Sequence, residues 1–427
     1  MPMGGIAPVP SDSPVGQQKK GSGGSTAVIP FAQAAKWHIE QSNTQSGIVL
    51  SANGQTFNYP IASYGYLSAI MITCQVSGGA GGVALTFFED APYSLFSQIQ
   101  VTDVNGVPIF QLSGVHSAIA AKYGGYRLWG QDGIIKGLQF DTAAGQASTA
   151  GGPPASVFTL ANGGYYQTPV ATTGNTKFVL PVFFEFGTDG LGCLPNMDAS
   201  ARYNLQVTVA GGAMTAAAGG PYIATATTIP TTLPTMAITV EILARSQPPA
   251  SDMFGNMNST SPPAVGTVQY WTAQTAAGLA SGANTIQLTR VGNLIRNHIL
   301  VFRDGTTNPP RSTAETAWMP SLFEFDWDSG QRYVSLLSTL RLFNGYNVFG
   351  LDMPNGCILL PNTLDPDKIA VSEYGGEWLG TVGATKFTLR FTNSATPGAG
   401  SSVTVLTNDI VPASGQVYMA PGMEVRS

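Results

Sequence analysis

Three histidines, His38, His116 and His298, are the residues best suited to acid–base or metal chemistry, and they lie far apart in the chain. No H-x-x-x-H or H-E-x-x-H spacing links them, so none has a second ligand on the same helix face, as a zinc site would need. Each reads as a packing or hydrogen-bonding residue. Glu324, Asp326 and Asp328 alternate along SLFEFDWDSG. On a strand, that spacing lines carboxylates along one face, as a glycosidase or a calcium site requires. Phe323, Phe325 and Trp327 fall on the other face, which is the pattern of a half-buried strand with a wet side, and that reading is preferred. Cys74, Cys193 and Cys357 are odd in number and lack a C-x-x-C pair, so they are expected to be free, buried thiols made in a reducing cytosol. There is no G-x-S-x-G elbow and no G-x-x-x-x-G-K-[ST] loop. The expectation is therefore no catalytic residue, no cofactor, no metal and no enzyme. Asn258-Ser259-Thr260 is a glycosylation sequon, but it sits in a linker and carries no weight here.

Composition points elsewhere. Charged residues make up 10% of the 427 and the net charge is -5. An average soluble chain carries roughly 25% charged residues, so much of this surface is neutral and is expected to be buried against copies of the same chain. No excess of Lys and Arg is available to neutralise phosphates, so sequence-specific nucleic-acid binding is not expected. No stretch reaches the roughly 20 apolar residues that cross a bilayer, and the first residues lack a signal-peptide layout, so the chain is expected to be soluble and intracellular when made. The aromatics Tyr126, Trp129, Tyr165 and Tyr166 could form a sugar-stacking platform. They keep open an oligomeric carbohydrate-binding β-sandwich as the alternative, although such residues more often anchor subunit interfaces.

These residues must be positioned by strands. Residues 1–45 read as a polar, Gly/Pro/Ser-rich arm carrying Lys19 and Lys20, with a short helix over Phe31–Ser42. Beyond it, β-branched and aromatic runs are punctuated by Gly, Pro, Asn and Asp. Eight strands are predicted in the first half: Gln55–Tyr59, Tyr66–Val76, Phe96–Asp103, Val107–Leu112, Ser156–Leu160, Lys177–Phe186, Tyr203–Val209 and Met236–Ala244. The stretch Ser246–Val265 holds four prolines and marks a linker. The second half repeats the style with Val268–Ala273, Asn284–Thr289, Leu294–Arg303, Leu322–Trp327, Cys357–Leu360, Lys368–Ser372, Lys386–Thr392, Val403–Leu406 and Val417–Met419. The resulting layout is an arm over 1–45, one barrel over 46–245, a linker over 246–265 and a second barrel over 266–427. Long Gly- and Ala-rich tracts over Leu128–Asn175 and Ala210–Pro234 are expected as loops at one end of the first barrel.

A faint internal repeat supports two alike halves. LFSQIQVTD (Leu95–Asp103), the turn Val104-Asn105-Gly106, a short strand and a helix-like stretch over Val115–Tyr123 parallel SLFEFDW (Ser321–Trp327), Asp328-Ser329-Gly330 and a helix-like stretch carrying Leu336, Leu340 and Phe343. Both halves then show Leu-Pro-Asn, in Cys193–Asn196 and Leu359–Asn362, and close on an alternating strand, Ala201–Val209 and Thr385–Phe391.

In this order, YLSAIMITCQV, SLFSQIQVTDVNGVPI, GVHSAIAAKYGG, FVLPVFFEF, NLIRNHILVFRDG and MPNGCILLPN resemble the double jelly-roll major capsid proteins of tectiviruses and the adenovirus lineage. The resemblance implies an all-β chain of two tandem eight-stranded jelly rolls with short helices in the loops. It also implies a homotrimeric, pseudo-hexagonal capsomer that tiles an icosahedral virion shell around an internal lipid membrane, made in the host cytoplasm. Implied partners are copies of the chain, and vertex, cement or membrane proteins and the membrane itself through the arm. The alternative then becomes a lectin-like protein or a virion spike.

Overall fold

The computed structural model describes residues 28–80, 86–126, 166–167, 175–186, 188–215, 220–225, 228–305, 309–327, 331–340, 354–361, 378–381, 384 and 386–411. The expected strands Ser156–Leu160, Lys368–Ser372 and Val417–Met419, most of the Leu128–Asn175 tract, Asp328 and the arm over 1–27 lie outside the described residues. Among those described, no helix is long and apolar enough to cross a membrane.

The first half contributes β1 (Trp37–Val49), β2 (Gln55–Pro60), β3 (Tyr66–Ser77), β4 (Phe96–Thr102), β5 (Pro108–Leu112), β6 (Asn175–Phe183), β7 (Asn204–Val209) and β8 (Thr235–Arg245). They form two walls, in the orders β1-β8-β3-β6 and β2-β7-β4-β5. The second half contributes β9 (Val268–Ala277), β10 (Ala283–Gln287), β11 (Leu294–Arg303), β12 (Leu322–Trp327), β13 (Gln331–Leu336), β14 (Cys357–Pro361), β15 (Phe387–Thr392) and β16 (Ser402–Val411). Their walls run β9-β16-β11-β14 and β10-β15-β12-β13. Strand for strand, the second order repeats the first, so each half is one barrel of two facing sheets.

Side-chain periodicity explains the packing. In β7 the pattern alternates, with Leu205, Val207 and Val209 buried and the residues between them half-buried. Phe178, Leu180, Val182 and Phe184 fill the first core together with Leu205 and Val207, as expected for one face of a strand. In the second barrel Leu300 and Phe302 pack with Phe387 and Leu389. The turn between β4 and β5 is closed by Asp103, whose Oδ1 accepts from the amides of Asn105 (2.9 Å) and Val107 (2.7 Å). Gly106 takes φ 81°, which suits a residue without Cβ.

Two expected elements are corrected. The helix over Phe31–Ser42 is limited to α1 (Phe31–Ala34), and Trp37–Val49 is strand β1, not arm. β1 is an edge strand, exposed or half-buried at every position but Ile48 and bulged after Gln41 and Gln45, so it shows neither apolar alternation nor a buried run. The helix-like stretch around Leu336 is likewise strand β13, hairpinned onto β12, and among the described residues α4 (Leu337–Leu340) follows as helix. Leu336 and Leu340 match helical spacing by coincidence. With β13 in place the repeat is closer than the sequence shows, since α2 (Gly114–Tyr123) follows β5 as α4 follows β13. The Leu-Pro-Asn match is not an equivalence. Leu194–Pro195 flanks β3, whereas Leu359–Pro361 ends β14, the counterpart of β6.

Candidate functional site: the junction between the barrels

The chain crosses from β8 to β9 through residues 246–267, and the first strand of the second barrel joins the last edge of the first. β9 runs parallel to β5 through the pair Trp271 and Phe110. Strand directions follow from that contact. β1 begins and β8 ends at what we term the base of barrel one, and β9 begins and β16 ends at the matching base of barrel two. The two barrels therefore stand side by side, pointing the same way.

The wall β9-β16-β11-β14 is shared. β11 and β16 are buried at every position except their ends. Leu300, Phe302, Val403 and Val405 face the second core. Ile299, Val301 and Leu406 join the cluster that includes the first core. A strand covered on both faces has no wet side, which is why NLIRNHILVFR lacks alternation and its second half, Ile299–Phe302, is continuously apolar.

α2 packs on barrel one, against β4, β5 and β6, and its C-terminal end reaches the shared wall. Ser113 caps it, accepting from the His116 amide at 3.2 Å, and Val115, Ala118, Ile119 and Tyr123 are buried. The helix stops at Gly124, where a Cβ would come within 2.7 Å of the Tyr126 ring and 3.1 Å of Trp271. Tyr126 follows at the centre of a buried polar network. Its hydroxyl accepts from Trp271 Nε1 at 2.5 Å and donates to Gln269 Oε1 at 3.0 Å. Gln269 Nε2 in turn donates to the carbonyls of Phe183 (2.8 Å) and Phe184 (2.9 Å). Arg296 of β11 donates to the carbonyls of Gly124 and Gly125, which orients the end of α2.

At the opposite end, the head, an ionic cluster ties the barrels. Asp90 of barrel one accepts from Arg303 Nη2 at 2.5 Å and from Arg311 Nε at 2.8 Å and Nη2 at 2.6 Å. Arg311 opens α3 (Arg311–Ala317), and Glu89 accepts from the amides of Arg311 and Ser312. Burial works to raise the Asp90 pKa, but the two guanidiniums prevail and hold it down at about 2. Beside the cluster, a cleft of about 470 Å³ is walled by Phe88, Phe96, Val115 and Pro309. Its charges, Asp90 and Arg303, are spent on each other.

The residues singled out for chemistry are not brought together. His38 is on the surface, stacked on Tyr64 at 3.8 Å and bonded to Glu40 at 3.1 Å. His116 lies at the junction, where burial and then Arg303 and Arg311 push its pKa down to about 3 against the opposing pull of Asp90. His298 lies in the second core against Phe325 and Phe387, and burial lowers it to about 3. Glu324 and Asp326 do share the outer face of β12, where Asp326 pairs with Arg390 at 2.8 Å. All three cysteines are free and buried, and burial raises the Cys74 thiol pKa. Among the described residues, no three His, Cys, Asp or Glu side chains converge as metal ligands. Asn258 spends its Nδ2, the glycosylation atom, on Pro249 O at 3.0 Å. Tyr126, read as exposed for a sugar platform, is buried, which corrects that expectation; Trp129 and Tyr165 lie outside the described residues.

No family model matches the chain, and no curated protein does. Solved structures do. The STIV MCP is 11% identical at a TM-score of 0.55, covering 88% of this chain and 97% of that one. The PBCV-1 virus capsid gives 13% and 0.53, over 88% and 94%. The Faustovirus major capsid protein gives 12% and 0.52, over 91% of each chain. This chain has the double jelly-roll fold. The sixteen strands described above are its two rolls, and the shared wall is what makes the double jelly roll one block.

Reasoning from sequence missed the junction residues, because Glu89, Asp90, Arg303 and Arg311 are more than 200 positions apart across the barrels. A signal was present nonetheless: Arg296 and Arg303 sit in a strand, NLIRNHILVFR, that shows no wet side by alternation. A guanidinium in a strand covered on both faces demands a partner from elsewhere.

Proposed function

We propose that this double jelly roll is the major coat subunit of an icosahedral virion, assembling as a homotrimer into pseudo-hexagonal capsomers and then into a shell, without enzymatic activity. The observation that carries the reading is the fusion of two barrels, upright and pointing the same way, into one block through a shared buried wall. A rigid block of this kind can cover its exposed edge strands by packing against copies of itself. Low charge and the likeness to viral capsid structures support it. Enclosure of an internal membrane, vertex, cement or membrane partners and synthesis in the host cytoplasm belong to the same proposal. The fold's likeness and the lack of excess basic charge support these finer parts.

The test is the mass of the purified full chain at micromolar concentration. A homotrimer burying well above the roughly 1,200–2,000 Å² of a standard contact is expected by light scattering and native mass spectrometry. A stable monomer at that concentration would overturn the reading.

A further inference from the structure

Inside the molecule, the last edge strand of barrel one (β5) meets the first edge strand of barrel two (β9) in parallel. The corresponding edges at the two ends of the block are β13, the last edge of barrel two, and β1, the first edge of barrel one. Among the described residues β13 pairs only β12, and β1 pairs only β8. The contrast in covering is large. Ile109 and Phe110 on β5 are 3% and 4% exposed, and Trp271 on β9 is 1% exposed, whereas Val334 and Leu336 on β13 are 48% and 53% exposed. On β1, Trp37 is 47% exposed and Ile39 68%.

We propose that β13 of one copy docks in parallel beside β1 of a second copy, repeating between molecules the joint that fuses the barrels within one. The inference rests on the coat-subunit reading and deepens it by naming the surfaces. Continuity selects the occupant, because only another copy presents the edge that this fold already pairs with a strand in β5's position. Direction also fits. β13 starts at the base of its barrel, as β5 does, and β1 starts at the base of its own, as β9 does, so two copies standing side by side bring the edges together in parallel. The bulge after Gln41 confines the straight part of the β1 edge to Trp37–Gln41, near the base. The internal joint is shorter still, a single residue pair. The contact is heterologous, and a joint repeated at equal angles within and between copies closes a ring when each turn is about one sixth of a circle.

The experiment uses the full-length protein with Ile39 and Val334 substituted. Ile39→Glu and Val334→Glu should each weaken self-association by more than about tenfold, since each puts an unpaired charge into a desolvating contact. The far-UV circular dichroism of each variant should match the wild type, so that the loss is one of assembly and not of folding. Ile39→Lys combined with Val334→Glu in one chain should restore the oligomer. In a mixture of Ile39→Cys and Val334→Cys proteins, oxidation with copper phenanthroline should give the mixed disulfide. If the single variants stay fully assembled and no mixed disulfide forms, or if Ile39→Cys links chiefly to itself, this interface is wrong while a trimeric wild type keeps the coat reading. If the wild type is a monomer, both fall.

Discussion

The two walls of barrel two are built to opposite rules. In β9-β16-β11-β14 the central strands are buried on both faces, and Arg296, His298, Asn408 and Asp409 are held inside. In β10-β15-β12-β13 the inner face carries Phe323, Phe325, Phe387 and Leu389, while the outer face shows Glu324, Asp326 and Arg390, all half-buried. The first wall faces two cores and the second faces one. The difference shows that the double jelly roll is not two independent barrels in tandem. Its middle wall is common property, and polar groups there must be satisfied by the other barrel.

Three measurements sharpen that contrast. The largest effect is expected at the ionic cluster. Asp90→Ala leaves Arg303 and Arg311 buried without their carboxylate and should cost about 3–5 kcal/mol in denaturant unfolding. A loss near zero would mean that the head of the junction is wetter than described.

The second effect is pH dependence. His116 and His298 have folded pKa values of about 3 against 6.5, so the stability tied to their neutral forms is complete above pH 6.5 and is lost as pH falls towards 3. At pH 5 each should cost about 2 kcal/mol, and His298→Phe should remove its share of the slope. Asp90 acts lower, its contribution being complete above pH 3.8 and lost towards pH 2. An acid limb unchanged in His298→Phe would show that this histidine protonates in place.

The smallest effect belongs to the outer wall. Asp326→Asn breaks a bridge to an Arg390 side chain that is 38% exposed, and should shift stability by no more than about 0.5 kcal/mol.

The same contrast explains what was legible in the sequence. Strands that line a core announced themselves, through alternation in NLQVTV or through apolar runs in YLSAIMITCQV and NLIRNHILVFR. The strands misread, β1 and β13, are both edges, exposed along most of β1 and at Val334 and Leu336 of β13, and QSNTQS or QRYVSL carries no burial pattern to read. The Asp103 turn was visible because backbone geometry, not burial, selects its residues. The candidate site stayed hidden because its parts come from opposite halves, and period and spacing are blind to partners beyond one element.

The register of β1 sets a schedule for synthesis. Trp37 pairs with Arg245, and Val49 with Thr235, so the first strand to leave the ribosome waits for the eighth. At about 5–20 residues per second that wait lasts roughly 10–40 s. Barrel one then still lacks the β9-β16-β11-β14 wall, which ends only at Val411. Throughout that interval β1 has no partner in its own sheet, so barrel one cannot close until β8 has been made.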